Sequence, residues 1–142
     1  MRTVILISLL LCGFSASHAQ DDNVLRDMMA QVQSARPSGL LLKPSFESEG
    51  ETAFSAEVLG QKRSFTFTFG MSESTFTLQV DSLLAPYSPQ TLQAICKSVG
   101  SLDKVRSLEN PSKEVIIYTA ETQGEIVEIG QKLLTEINRR LY

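Results

Sequence analysis

The sequence predicts an α+β domain in which an antiparallel sheet of about five strands is flanked by helices, in the order α-β-β-β-α-β-β-α. Three consecutive segments between residues 52 and 81 alternate apolar and polar side chains, which is typical of strands with one buried face. Apolar residues at helical spacing precede and follow these segments. Thr122 and Glu125 form the capping box of a closing helix. Segregated strands and helices of this kind define the α+β class.

The first nineteen residues are predicted to be a secretory signal peptide. Arg2 precedes an apolar run over residues 4–11, and small residues follow, with Ser17 and Ala19 at the −3 and −1 positions of a cleavage site. The apolar run is shorter than the about 20 residues needed to span a bilayer. We therefore expect a periplasmic or secreted protein whose residues 20–142 form one domain.

Cleavage at this site would remove the one histidine, His18, and one of the two cysteines, Cys12. The remaining Cys96 cannot form a disulfide within the chain. Without an imidazole, most familiar catalytic and metal sites are excluded, and the sequence predicts no cofactor. The formal net charge of −3 comes without a basic cluster, so no nucleic-acid partner is expected. Beyond the leader, no segment approaches the length of a membrane span.

A helix is predicted over Gln20–Arg36, because Leu25, Met28 and Val32 fall on one stripe. The next apolar residues, Leu40–Leu42, fit either a short strand or an apolar lead-in. The acidic segment Glu47–Glu51 is typical of an exposed turn.

Three strands are predicted next. They cover Thr52–Leu59, Arg63–Phe69 and Thr75–Asp81, and the middle strand places three phenylalanines on one face against serine and threonine on the other. The short connections between them, each with a glycine, predict a meander.

The second half of the domain is predicted to contain two helices around two strands. The first helix begins at Pro89 and ends before Gly100. Strands over Lys104–Leu108 and Glu114–Ala120 follow, and the continuous apolar run in the second predicts that both of its faces are covered. The helix Thr122–Leu141 is the last element of the chain, and acidic and basic residues four positions apart can form favourable ion pairs on its exposed face.

This order of elements resembles that of the type III secretion chaperones and the YbjN-like proteins. Residues 21–142 cover the whole pattern, with Phe65–Phe69 as a sheet strand and Thr122–Leu141 as the closing helix. The resemblance implies a non-enzymatic, often dimeric, protein-binding module with no catalytic residues. The secretion chaperones are cytoplasmic, whereas this chain is predicted to be exported.

The residues that could contact a partner or a ligand are the aromatic side chains of the meander and two methionines of the first helix: Phe65, Phe67, Phe69, Phe76, Met28 and Met29. Aromatic faces can bind an apolar ligand or a peptide, and methionines suit adaptable binding surfaces. Both residue types also fill cores, which is their commoner use.

Two weaker patterns point to chemistry. Ser101 and Lys104 match the S-x-x-K spacing of serine nucleophiles, and Glu47, Glu49 and Glu51 could surround a calcium ion. We interpret the chain as an exported module that binds another protein, with a homodimer left open. The alternative is a carrier of a small apolar ligand in a phenylalanine-lined pocket, and the third reading is a hydrolase that uses carboxylates or Ser101.

Overall fold

The computed structural model describes residues 23–61, 63–83, 91–99, 105–108 and 113–142. The first helix, α1, covers residues 23–33. The elements that follow are β1 (Leu40–Ser48), β2 (Glu51–Val58), β3 (Ser64–Ser72), β4 (Thr75–Leu83), α2 (Thr91–Val99), β5 (Val105–Leu108), β6 (Lys113–Ala120) and α3 (Gln123–Leu141).

The strands form one sheet in the order β1-β2-β3-β4-β6-β5, and every neighbouring pair is antiparallel. The predicted α+β class is confirmed. The structure adds a strand, β1, to the predicted order: the segment that begins with Leu40–Leu42 extends to nine residues.

The helices share one face of this sheet. Their apolar stripes join the inward-facing residues of β1–β4 and β6 in a single core, with Phe54, Phe65, Phe67 and Phe69 at its centre. Phe54 and Phe67 stack with ring centroids 5.0 Å apart. The molecule therefore has two layers, a helical layer and a sheet.

Gly130 allows α1 and α3 to approach closely. A Cβ atom at this position would lie 2.7 Å from Cγ2 of Val32, closer than real Cβ atoms come to a neighbour. The close packing brings the whole stripe of α3 onto the core, with Ile126, Leu133, Leu134 and Ile137 fully buried.

The acidic segment Glu47–Glu51 was expected to be a turn, and this expectation is wrong for most of it. Residues up to Ser48 belong to β1, and only Glu49 and Gly50 turn the chain, with Gly50 at φ 81°. An edge strand has one solvated side, so it tolerates charged residues. Glu47 also forms an ion pair with Arg26 of α1.

The local signals of α3 are present as predicted. Thr122 Oγ1 accepts a hydrogen bond from the Glu125 backbone N–H at 3.3 Å. Glu128 pairs with Lys132 at 2.9 Å. Along the described ranges, none of the helices combines the length and the apolarity of a membrane span.

The strand β6 follows its prediction in part, since Val115, on the same face as Ile117, is only 4% exposed. Its continuous apolar run predicted cover on both faces, but the helices cover only the face of Ile116 and Tyr118. Ile117 points the other way and stays partly exposed. The predicted leader, Ser88, Pro89, Gly100 and Ser101 lie outside the described residues.

Candidate functional site: the open face of the sheet

The six side chains that the sequence predicted for a partner or ligand surface belong to the core. Phe65, Phe67, Phe69 and Met28 have no exposed area, and Phe76 and Met29 are partly buried against the same cluster. The structure brings them together, but under the helices. Four of the six therefore present no surface to a partner.

Two grooves lie elsewhere on the molecule. One, of about 300 Å³, follows β1 near Phe46 and includes Met29 and Arg26. The other, of about 520 Å³, crosses the helical layer between Ser98 and Glu136. Neither groove is lined by a phenylalanine of the predicted set, so neither matches the phenylalanine-lined ligand pocket.

The sheet face opposite the helices carries the most distinctive surface in the described structure. Alternation along β2, β3, β4 and β6 directs one set of short, uncharged side chains to this side. We call this set the open face: Ala53, Ser55, Thr66, Thr68, Thr77, Gln79, Ile117 and Thr119. Five of its members are partly exposed and Thr119 is exposed, whereas Ala53 and Thr68 are buried. The helix residues of the core cluster pack on the other face of the sheet.

Two cross-strand rows order the open face. The first row consists of cross-strand neighbours from β1 to β6: Phe46, Ala53, Thr68, Gln79 and Ile117. The second row consists of Lys43, Ser55, Thr66, Asp81 and Val115, again from β1 to β6. Each row thus has polar or small residues at the centre and an apolar residue on β6.

Phe46 reaches this side because of a β-bulge. The register of β1 shifts between Pro44 and Phe46, so that Phe46 lies opposite Ala53 and shares its face. Its side chain is 45% exposed, and Leu41 on the same strand is 37% exposed. Large apolar side chains therefore border the open face along β1.

Charged residues also lie on this side of the sheet, with Lys43 on β1, Glu57 on β2 and Asp81 on β4 directly opposite Thr66. Lys43 forms an ion pair with Glu57 at 3.2 Å, and Gln79 Nε2 donates to Asp81 at 2.9 Å. The helical side differs, because Glu128, Lys132, Arg139 and Arg140 lie exposed along α3. There Arg139, Ser98 and Arg140 surround Glu136 and lower the pKa of its carboxyl to about 2. The two sides of the molecule thus present chemically different surfaces.

The free edge of β1 is a poor template for another strand. The Val58 N–H donates to the Arg63 carbonyl at 2.9 Å, so Val58 turns its backbone polar groups toward β3. Leu40 lies opposite Val58. The backbone polar groups of Leu40, and those of Leu42 and Pro44 at alternate positions, therefore point toward the free edge of the sheet. Proline has no N–H to offer there, and the bulge follows immediately.

Cys96 is buried in the core beside Tyr118. The pKa of the Cys96 thiol is raised to about 11, mainly because the thiol is buried. The nearby Tyr118 hydroxyl acts in the opposite direction and lowers this pKa, whereas the charge of Glu114 raises it. Burial and the neighbouring thiol raise the pKa of Tyr118 as well. The Tyr118 hydroxyl interacts electrostatically with the thiol but does not meet the geometry of a regular hydrogen bond. Such a thiol is protonated and a poor nucleophile.

We expect Cys96 to be unreactive in the folded protein and to make stability pH-dependent. In the folded state the pKa of Cys96 is about 11, above the ordinary thiol value of 9.0. Between these two pH values the folded chain therefore keeps a thiol proton that the unfolded chain loses. The stabilisation is complete below about pH 9 and is lost as the pH rises toward about 11. Urea melts of the wild type and Cys96→Ala over this pH range test it, and the variant should have the flatter profile. Alkylation of the native wild type at about pH 8 as fast as that of the unfolded chain would contradict the expectation.

The two patterns that suggested other chemistry find no support in the described contacts. Ser101 lies outside the described residues. Glu47, Glu49 and Glu51 do not converge, since Glu47 pairs with Arg26 and Glu49 lies in the turn. Across the described ranges, no group of three His, Cys, Asp or Glu side chains could hold a metal ion.

In comparisons with known proteins, no family model matches the chain and no curated protein matches it significantly.

The sequence already contained a signal for the open face. The polar members of the alternating strands, such as Thr66 and Thr68 of β3, were interpreted only as a solvated face. Their lack of charge, compared with the charged exposed side of α3, distinguishes this surface from ordinary solvated positions.

Proposed function

We propose that this chain is a non-enzymatic protein-binding module that acts through the open face of its sheet. The observation that carries the proposal is the row of uncharged side chains that crosses β2, β3 and β4 from Ala53 through Thr68 to Gln79, on a molecule whose helical side is rich in charge. Depletion of charged residues at the centre of a patch, with polar groups around it, is the compositional signal of protein interfaces.

The filled core supports binding by a surface in preference to binding in a cavity. Phe54, Phe65, Phe67 and Phe69 leave no exposed area between the sheet and the helices. A carrier of an apolar ligand would need space among these rings. Among the residues described, no contact favours the carrier or the hydrolase.

The sheet also limits how a partner can bind. Strand addition at β1 would meet Pro44 and the bulge, so a regular ladder is interrupted after a few residues. The open face has no such obstacle, and Phe46 and Leu41 border it with apolar area. A partner that binds next to β1 is therefore expected to lie across the strands instead of pairing with the edge of β1.

Site-specific photo-crosslinking tests this proposal. A benzophenone amino acid replaces Thr66 at the centre of the open face or, as the matched control, Glu128 on the exposed side of α3. Irradiation of producing cells should give discrete protein adducts from position 66 and few from position 128. Equal yields from both positions, or none from position 66, would contradict the proposal.

We further propose that the module acts after export, in the periplasm or outside the cell. The support is the leader pattern of Arg2, the apolar run over residues 4–11 and the small residues before Gln20. Mass spectrometry of the protein purified from its own cells should show a chain that begins at Gln20. An intact N-terminus that retains His18 would overturn this part of the proposal.

A further inference from the structure

We propose that Met29 is a site of reversible oxidation, at which a peroxide that enters the groove beside β1 converts the thioether to a sulfoxide. The inference goes beyond the proposed function, because this chemistry needs no binding partner. It rests on the position of Met29 in the groove and on its contact with Thr52.

Met29 is accessible from the surface, whereas the methionine next to it is not. Met29 is partly buried and lines the groove of about 300 Å³ beside β1, together with the exposed residues Arg26 and Phe46. Met28 has no exposed area. Oxidation of a side chain depends on the access of the oxidant to the sulfur, so the two adjacent methionines should react at very different rates.

Thr52 of β2 orients the sulfur of Met29. The Thr52 hydroxyl donates to Met29 Sδ at 3.8 Å, and Thr52 is only 3% exposed. A thioether is a weak acceptor, whereas buried hydroxyls usually donate to oxygen. The contact holds one lone pair of the sulfur toward β2. The other lone pair is therefore the one that meets an oxidant arriving through the groove.

The reaction is a two-electron transfer of oxygen. The lone pair of Met29 Sδ attacks one oxygen of the peroxide, the S–O bond forms and the O–O bond breaks. The sulfur loses two electrons, and the peroxide is reduced to an alcohol, or to water when it is hydrogen peroxide. The proton of the attacked oxygen moves to the leaving oxygen. The sulfoxide is polar and chiral, and attack from the groove gives one of its two epimers.

Limited oxidation of the purified wild type tests the site. Hydrogen peroxide is added under native conditions, and fragmentation of the peptides in a mass spectrometer locates the added oxygen. Met29 should be oxidised at least about tenfold faster than Met28, because oxidation of Met28 requires the core to open. In urea, where both are accessible, the two rates should agree. Met29→Leu should remove the fast reaction and Met28→Leu should keep it.

The stereochemistry of the product tests the contact with Thr52. Methionine sulfoxide reductases of the two classes each accept one epimer, so they identify the epimers in the digested protein. After native oxidation one class should repair most of the Met29 sulfoxide, and after oxidation in urea both classes should repair comparable shares. Thr52→Val removes the hydroxyl and should abolish the preference. Thr66→Val, the same change on the open face, is the matched control and should preserve it.

Circular dichroism verifies that each variant folds, and the comparison of Met28 with Met29 in the wild type needs no variant. Equal oxidation rates of these two residues in the folded protein would refute the inference. Equal amounts of the two epimers from the native wild type would also refute it. Neither result affects the crosslinks from position 66, so failure of this inference and failure of the proposed function are separate outcomes.

Discussion

Replacing Phe67 by alanine is expected to lower the free energy of unfolding by about 3–5 kcal/mol, the usual cost of deleting a buried aromatic ring. Phe67 has no exposed area and lies on β3, between β2 and β4. Its ring stacks on Phe54 at 5.0 Å between centroids with 19° between the planes. The alanine variant would lose this contact and leave a cavity that neighbouring strands cannot close.

Urea or thermal unfolding at fixed protein concentration measures the loss. Domains of this kind are stable by about 5–15 kcal/mol in total, so Phe67→Ala should remove a large part of the stability. Phe67→Leu, which keeps most of the apolar volume, should cost clearly less. Thr135→Ala, on the exposed side of α3, should stay within about 0.5 kcal/mol of the wild type. A loss below about 1 kcal/mol for Phe67→Ala would show that the ring is not packed as described.

The second large effect is expected at the crossing of α1 and α3. Gly130→Ala would place a Cβ atom 2.7 Å from Val32 Cγ2 and 3.0 Å from Val32 Cγ1. Overpacking of this kind costs about 1–3 kcal/mol, against a gain of about 1 kcal/mol from the higher helix propensity of alanine. We expect a net loss of up to about 2 kcal/mol, because the cost of overpacking exceeds the gain from helix propensity.

The sign of this effect should depend on Val32. In a Val32→Ala background the two methyl groups are absent, so Gly130→Ala should stabilise by up to about 1 kcal/mol through propensity alone. Gly124→Ala is the matched control on the same helix, since a Cβ atom there would meet nothing within 4 Å. Equal effects of Gly130→Ala in both backgrounds would rule out the proposed contact with Val32.

The alternating strands were predictable because period-two patterns leave little choice of structure. Phe65, Phe67 and Phe69 alternate with polar residues, and that pattern determined which residues face the helices. The strand β1 was harder to predict, since Pro44, Glu47 and Ser48 resemble a loop when one side of the strand is solvated. Propensity cannot show whether such a segment pairs with β2; the pairing is decided by the register of the whole hairpin.

The candidate surface was less predictable than the fold. A pattern of side chains on β3 shows which of them turn away from the core, but not whether another layer covers them. That depends on where α1, α2 and α3 pack, and all three pack on the same side. The apolar run of β6 was a mixed signal, because Val115 is buried whereas Ile117, on the same face, is partly exposed.

The proline at the outer margin of β1 has a consequence for behaviour at high concentration. Fibrils grow when a folded molecule offers an uninterrupted row of backbone donors to incoming chains. Pro44 removes one donor from that row, and the extra residue beside it bends the remainder out of line. Ordered aggregation of the native protein is therefore hindered at this margin, and a fibril nucleus built on β1 would have to start from a molecule in which the β1–β2 hairpin has already come apart.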